Sequence, residues 1–355
     1  MGAPVGDERI DTRRGTAGVV AFIVALNVVG WGVLLLAVVP AGIPLGGGDG
    51  TALVTLGVGL AAYTLGVRHA FDADHIAAID NTTRRLAERG RPASTVGFWF
   101  SLGHSTIVVV LCVLLTFGIT AVSASLADDG SALHAWTGVI GPTVSGVFLL
   151  VIAAINLASV RAMARGDRRR GGPVMQLLGP FERFVDRPSR MYVVGLLFGL
   201  GFDTATEIGL LALAGASTLA SVPWWAALTL PVLFAAGMSA FDTTQGAVMR
   251  RAYTWSPVRG PRAVGAGRHS DEAPGRPPVG AIYGIAMALL SVVAAVVIAI
   301  VQLSDVLVVY LGLGDPFTWI ASIGIDDLGL VLTGLLLATW AAVFATTRRP
   351  RSLPT

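Results

Sequence analysis

The sequence predicts an all-α polytopic membrane protein with eight transmembrane helices and both termini in the cytoplasm. Three observations lead there. Of 355 residues, 54% are hydrophobic and only 13% charged, with a mean hydropathy of +0.72, more apolar sequence than a soluble chain of this length buries. Apolar runs recur that are long enough to cross roughly 30 Å of hydrocarbon at about 1.5 Å per residue. The arginines crowd into every second connection between those runs.

The runs lie at about 17–40, 51–83, 96–122, 137–163, 191–216, 223–249, 280–303 and 327–346. The first follows Arg13-Arg14 and superficially resembles a signal peptide. It is too long for one and lacks a clear A-x-A site, so it reads as a retained helix. Arg9, Arg13 and Arg14 precede this run, and Arg84, Arg85, Arg89 and Arg91 follow the second. Arg161, Arg165, Arg168, Arg169, Arg170, Arg183, Arg187 and Arg190 follow the fourth, Arg250 to Arg276 the sixth, and Arg348, Arg349 and Arg351 the eighth. The other connections hold none, and the remaining arginine, Arg68, lies inside the second run. By the positive-inside rule both termini are cytoplasmic.

The opposite connections carry Asp49, Asp128, Asp129, Asp305, Asp315, Asp326 and Asp327. Such residues are ordinary in solvated loops, although a negative outer face also concentrates cations. The cytoplasmic loops 164–190 and 252–279 are rich in Gly, Pro and Arg and read as connectors beside an anionic leaflet. The whole chain is one permease-like membrane domain, 1–355.

Several chemistries are excluded. The one cysteine, Cys112, allows neither an intrachain disulfide nor a thiolate cluster. All 25 Lys+Arg residues are Arg, and no G-x-x-x-x-G-K-[ST] loop occurs, so the chain carries no ATPase motif of that kind. A net charge of +3 is explained by the cytoplasmic arginines rather than by nucleic acid.

The second run contains Arg68-His69-Ala70-Phe71-Asp72-Ala73-Asp74-His75-Ile76. A lone membrane histidine is usually a hydrogen-bonded packing residue. Five ionisable side chains in nine residues are costly in hydrocarbon unless they face a protein interior, a cavity or an ion. Read as one continuous helix, His69, Asp72 and His75 share a stripe about 120° wide, and Asp74 points elsewhere. Two imidazoles and a carboxylate suit a borderline metal cation.

Other runs add His104 in the third, Asp203 and Glu207 in the fifth, and Asp242 in the sixth. Asp203 and Glu207 are four apart and so share a helix face, with Thr204 and Thr206 between them. Asn156 in the fourth run is expected to bond a neighbouring helix. Counted from the cytoplasmic ends, these groups lie roughly 12 to 24 Å deep, in one central slab. Arg68 matches Glu207 in depth, so the two are expected to pair, leaving Asp72, Asp203 and Asp242 for the ion. Gly66, Gly97, Gly103, Gly199, Gly201 and Gly237 near these motifs permit close helix approach. Phe71-Asp72, Phe202-Asp203 and Phe241-Asp242 echo one another, and the second and fifth runs have opposite directions, which suits an inverted repeat around a midplane site.

The R-H-A-F-D-A-D-H-I of 68–76, including H-x4-D-H, resembles the signature of the nickel/cobalt transporter family (NiCoT). The L-G-H-S-T of 102–106, G-F-D-T-A-T-E-I of 201–208 and G-M-S-A-F-D-T of 237–243 resemble its other signatures, in order. The resemblance covers about 60–250. It implies an eight-helix permease of the cell (inner) membrane that imports Ni2+ or Co2+ as substrate and has no resident cofactor. It further implies that His69, Asp72, Asp74 and His75 are the residues most needed for the metal, with His104, Asp203, Glu207 and Asp242 supporting. Members commonly continue the last motif as D-T-x-D, where this chain has Gln245, which leaves metal preference open.

Two alternatives stand beside import. An exporter, or a permease for another divalent metal, fits the same residues, although the family's exporters tend to carry a His-rich cytoplasmic loop and here His269 is alone in it. An intramembrane metalloprotease would need H-E-x-x-H, which is absent, and a di-iron desaturase would need many more histidines.

Overall fold

A computed structural model describes residues 5–43, 53–116, 132–164, 185–200, 223–255, 279–323, 328–335 and 338. Their architecture is helical throughout. The main helices are α1 (Val5–Val33, extended by a π-helical turn over Leu34–Val38), α2 (Leu56–Ala70), α3 (Ala73–Glu88), α4 (Val96–Thr116), α5 (Ala132–Ala164), α6 (Met191–Phe198), α7 (Thr229–Trp255) and α8 (Val279–Leu311).

Five helical stretches among the described residues are long and apolar enough to cross a membrane: Gly15–Val38, Val96–Leu114, Gly138–Ala158, Trp224–Arg251 and Ala288–Leu311. They fall within or across the first, third, fourth, sixth and seventh apolar runs. On α1, Val24, Val28, Val29 and Leu36 are exposed, and α8 exposes Val293, Val297 and Ile300. Apolar side chains turned outward along membrane-length helices are stable against lipid and not against water. The chain is a multi-pass membrane protein.

The second apolar run departs from the continuous helix expected of it. It breaks at Phe71-Asp72 into α2 and α3. At about 1.5 Å per residue each piece is roughly 23 Å long, too short to cross alone. The break has a local cause. Phe71 and Asp72 donate their N–H groups to the carbonyls of Arg68 and His69, tightening the last turn of α2. Asp72 then turns extended (φ −60°, ψ 140°) as the N-cap of α3. Asp74 in the first turn of α3 accepts the His75 N–H at 2.8 Å, and both carboxylates complement the positive end of that helix.

Helix α3 is polar in composition yet buried, with His75 to Leu86 all enclosed. This corrects a second expectation: Arg84 and Arg85 are buried residues of α3, not loop residues after a membrane span. Enclosure by neighbouring helices replaces lipid there, and Arg84 Nη1 donates to Glu88 Oε1 at 2.7 Å. Asp305, expected in an outer loop, lies on α8, which runs on to Leu311.

Helix α7 is the hub. It packs on α1, α2, α3 and α4, whereas α5 and α8 pack chiefly on each other. Helix α3 touches both groups, and α6 packs on α4. Backbone approach is closest where glycines meet carbonyls. A Cβ on Gly97 would strike the Asp242 carbonyl, and one on Gly66 would strike that of Phe234. These two contacts bring α4 and α2 onto α7 at the level of the polar motifs.

Candidate metal centre

The α2–α3 break turns two imidazoles inward. His69 is in the last turn of α2 and His75 in the first of α3, and α4 brings His104 to meet them. All three are buried, and one ring nitrogen from each lies within 4.8 Å of the others. The ring centroids are 4.7 Å apart for His69–His75 and His75–His104, and 4.9 Å for His69–His104.

His69 Nε2 and His104 Nε2 lie 3.1 Å apart. Two imidazoles each about 2.1 Å from one cation place their nitrogens roughly 3.0–3.4 Å apart. The separation of this pair falls within that range. A nitrogen pair at the 4.8 Å outer limit of the cluster would have to close by about 1.4–1.8 Å to reach that spacing.

Two carboxylates flank the rings. Asp72 Oδ2 is 2.9 Å from His69 Nδ1, so a proton held on Nδ1 leaves the Nε2 lone pair facing the cluster. Asp242 Oδ2 is 3.7 Å from His75 Nδ1 and accepts a hydrogen bond from Ser101 Oγ. His75 Nδ1 and Asp242 Oδ1 are buried without a hydrogen-bond partner among the described residues. Buried polar atoms left this way are costly unless something else binds there. Phe100 meets the His75 ring edge-on at 4.8 Å and closes that side with hydrocarbon.

Asp72 is partly exposed, its side chain retaining 18% of its accessible surface. It lines a cleft of about 280 Å³ with Thr64, Val67, Arg68, Phe71 and Leu330. Of the groups around the cluster, Asp72 is the one that reaches this cleft; none of the three histidines lines it.

Asp74 faces away from the histidines. Its Oδ2 is 3.0 Å from Gln302 Nε2 and 3.2 Å from Ser145 Oγ. Asn156 donates to Asn81 Oδ1 at 2.7 Å. Gln245, one turn beyond Asp242, is buried with neither amide atom hydrogen-bonded among the described residues. Asp203, Thr204, Thr206 and Glu207 lie outside the described residues, and so does the expected Arg68–Glu207 pair.

Several residues escaped the sequence reading. Ser101 holds Asp242. Asp80 accepts from Tyr253 OH at 2.5 Å and Ser291 Oγ at 2.6 Å. Asp80 and Asn81 lie inside an apolar run and so carried a signal, but they were overshadowed by the motif before them. Ser145 and Gln302 were weaker signals, single polar residues in or beside apolar runs.

Membrane-crossing helices, a helix broken part-way, and three imidazoles gathered at the break define a polytopic membrane protein with a buried His cluster suited to a transition-metal cation. Residues 55–264 match the NicO family, described as high-affinity nickel-transport protein, and the chain belongs to that family. It is 43% identical over 341 residues to the nickel transporter NicT of Mycobacterium tuberculosis, covering 90% of this chain and 85% of that protein. It is 37% identical over 338 residues to the nickel transporter NixA of Staphylococcus aureus, covering 90% of each. Over 262 residues it is 42% identical to the cobalt transport protein NhlF of Rhodococcus rhodochrous, covering 69% of this chain and 71% of that protein. No solved structure matches the chain.

Proposed function

We propose that this chain is a secondary transporter importing Ni2+, Co2+ or both across the cell's inner membrane, with His69, His75 and His104 as the ligands that replace part of the ion's water shell. Asp72 and Asp242 supply negative charge against the dication, and Asp72 also orients His69. The observation that carries this reading is the Nε2–Nε2 separation of 3.1 Å between His69 and His104, inside a buried cluster with a carboxylate on the far nitrogen of His69. Imidazole nitrogen favours borderline metals over magnesium or calcium, and the relatives named for nickel and cobalt agree with that chemistry.

Eight spans with both termini cytoplasmic follow from the arginine distribution, and the echo between the motifs at 71–76 and 202–208 supports an inverted repeat. A helix broken at the binding groups is the arrangement secondary transporters use to expose a midplane site to each side in turn. Asp203 and Glu207 belong to this proposal through their motif, as acidic groups on the opposing half.

The test is accumulation of 63Ni2+ and 57Co2+ at sub-micromolar concentration by cells expressing the chain. Expression is expected to raise the metal content of the cells, and His75→Ala to abolish the rise. Lowered content on expression would make the chain an exporter.

A further inference from the structure

The H-x4-D-H motif treats Asp74 as one of the metal's own residues, but its surroundings give it other work. Among the described residues, no hydrogen bond or ion pair of its carboxylate is with an imidazole ring. Oδ1 accepts the N–H of His75 at 2.8 Å. Oδ2 faces Gln302 Nε2 on α8 at 3.0 Å and Ser145 Oγ on α5 at 3.2 Å. Ser145 Oγ is also 2.8 Å from Gln302 Oε1, so its single proton serves two acceptors. Ser145 and Gln302 are themselves buried, on membrane-length helices where an unpaired hydroxyl or amide would be expensive. The His75 N–H, the Gln302 amide and a share of the Ser145 proton engage both oxygens of the Asp74 carboxylate, which reduces its capacity for a cation.

The same face of α3 repeats the arrangement seven residues further on. Asn81 Oδ1 accepts from Asn156 Nδ2 of α5, and beside it Asp80 Oδ2 accepts from Ser291 Oγ of α8. Helix α3 is thus pinned to the α5–α8 pair at two levels, while α2, carrying His69, packs on α7. Both helices pack on α7, but only α3 is also bonded to α5 and α8, and the turn between His69 and His75 is short. Where α3 begins relative to α5 and α8 decides where His75 stands relative to His69 and His104.

We propose that Asp74 is a positioning residue: it docks the start of α3 on Ser145 and Gln302, sets His75 against the other two histidines, and is not a ligand of the ion. The inference rests on the His69–His75–His104 reading of the site. Its test is a double-mutant cycle on the full-length protein in detergent, read by equilibrium 63Ni2+ binding and, in vesicles, by uptake.

If Asp74 acts by docking, Asp74→Ala and Gln302→Leu each weaken nickel binding by about tenfold, the lower end for loss of a group that orients a ligand. The double variant is then no worse than either single one, because both break one contact. The exchange Asp74→Asn with Gln302→Glu moves the carboxylate across the same bond and restores binding to within about threefold of the original. A ligand role predicts otherwise: Gln302→Leu stays near wild type, Asp74→Ala costs far more, the two losses add, and the exchange does not rescue. That result overturns the proposal. If Asp74→Ala does not fold, the exchange pair and Gln302→Leu decide alone. His104→Ala is measured in parallel: nickel binding unchanged in that variant means the histidine reading has failed, whereas loss there with an additive Asp74–Gln302 cycle means only the docking inference has.

Discussion

His69 of α2 and His104 of α4 present their Nε2 atoms to each other across 3.1 Å, while Asp72 occupies the other ring nitrogen of His69 at 2.9 Å. Two neutral imidazoles gain one hydrogen bond from this approach; a cation between them gains two ligands. The arrangement costs burial of several polar groups at once, and a bound ion offsets that cost better than a single N–H···N contact. Replacing His104 by alanine removes one of three nitrogens. Nickel affinity, measured by equilibrium binding to the purified protein, is expected to fall by at least the 10–100-fold typical of losing even an outer partner.

Asp72→Asn tests the orienting carboxylate. The amide keeps the shape but gives up the charge that holds the Nδ1 proton of His69. Nickel affinity should drop by about 10–100-fold, with the thermal unfolding midpoint of the metal-free protein little changed. A large fall in that midpoint would assign Asp72 to folding instead.

The contact of Gly97 with the Asp242 backbone predicts a steric effect on the same site. Gly97→Leu must push α4 off α7 and separate Ser101 from Asp242. Overpacking of this kind costs about 1–3 kcal/mol or more, to be read as a lower unfolding midpoint in detergent together with loss of uptake.

Tyr253→Phe strips one donor from the buried Asp80 carboxylate, which keeps Ser291. An acceptor left short in the interior costs about 1–3 kcal/mol, so the variant should unfold earlier. Nickel binding at the histidines should persist, which separates this network from the metal cluster.

Competition uptake checks the ligand chemistry. An imidazole-rich site follows the Irving–Williams order, so unlabelled Ni2+ should suppress 57Co2+ uptake more strongly than equal Co2+ does, and Mn2+ should barely compete. Strong competition by Mn2+ would indicate an oxygen-dominated site.

Much of the membrane architecture was legible in the sequence because hydropathy is additive along a helix. The runs beginning at 17, 96, 137, 223 and 280 each correspond to a helical stretch of membrane length. The motif at 68–76 stood out because so many ionisable groups in hydrocarbon are hard to explain as packing. His69 and Asp72 do touch at the i, i+3 spacing, since the tightened turn preserves that contact across the break.

What the sequence by itself determined was which segments are apolar enough to face lipid and which residues are too polar to do so; both are local properties of composition. Only the tertiary structure decided how those polar residues are shared out. Asp74 meets Gln302 across 228 residues, Ser145 across 71, and His69 meets His104 across 35. Helical periodicity treats the second run as one rod, so it assigns a direction to each side chain but not a partner. The burial of Arg84 and the turn of Asp74 toward α5 and α8 depend on which helices pack around α3. Buried hydrogen bonds, worth little against water and much inside a bundle, settle that packing.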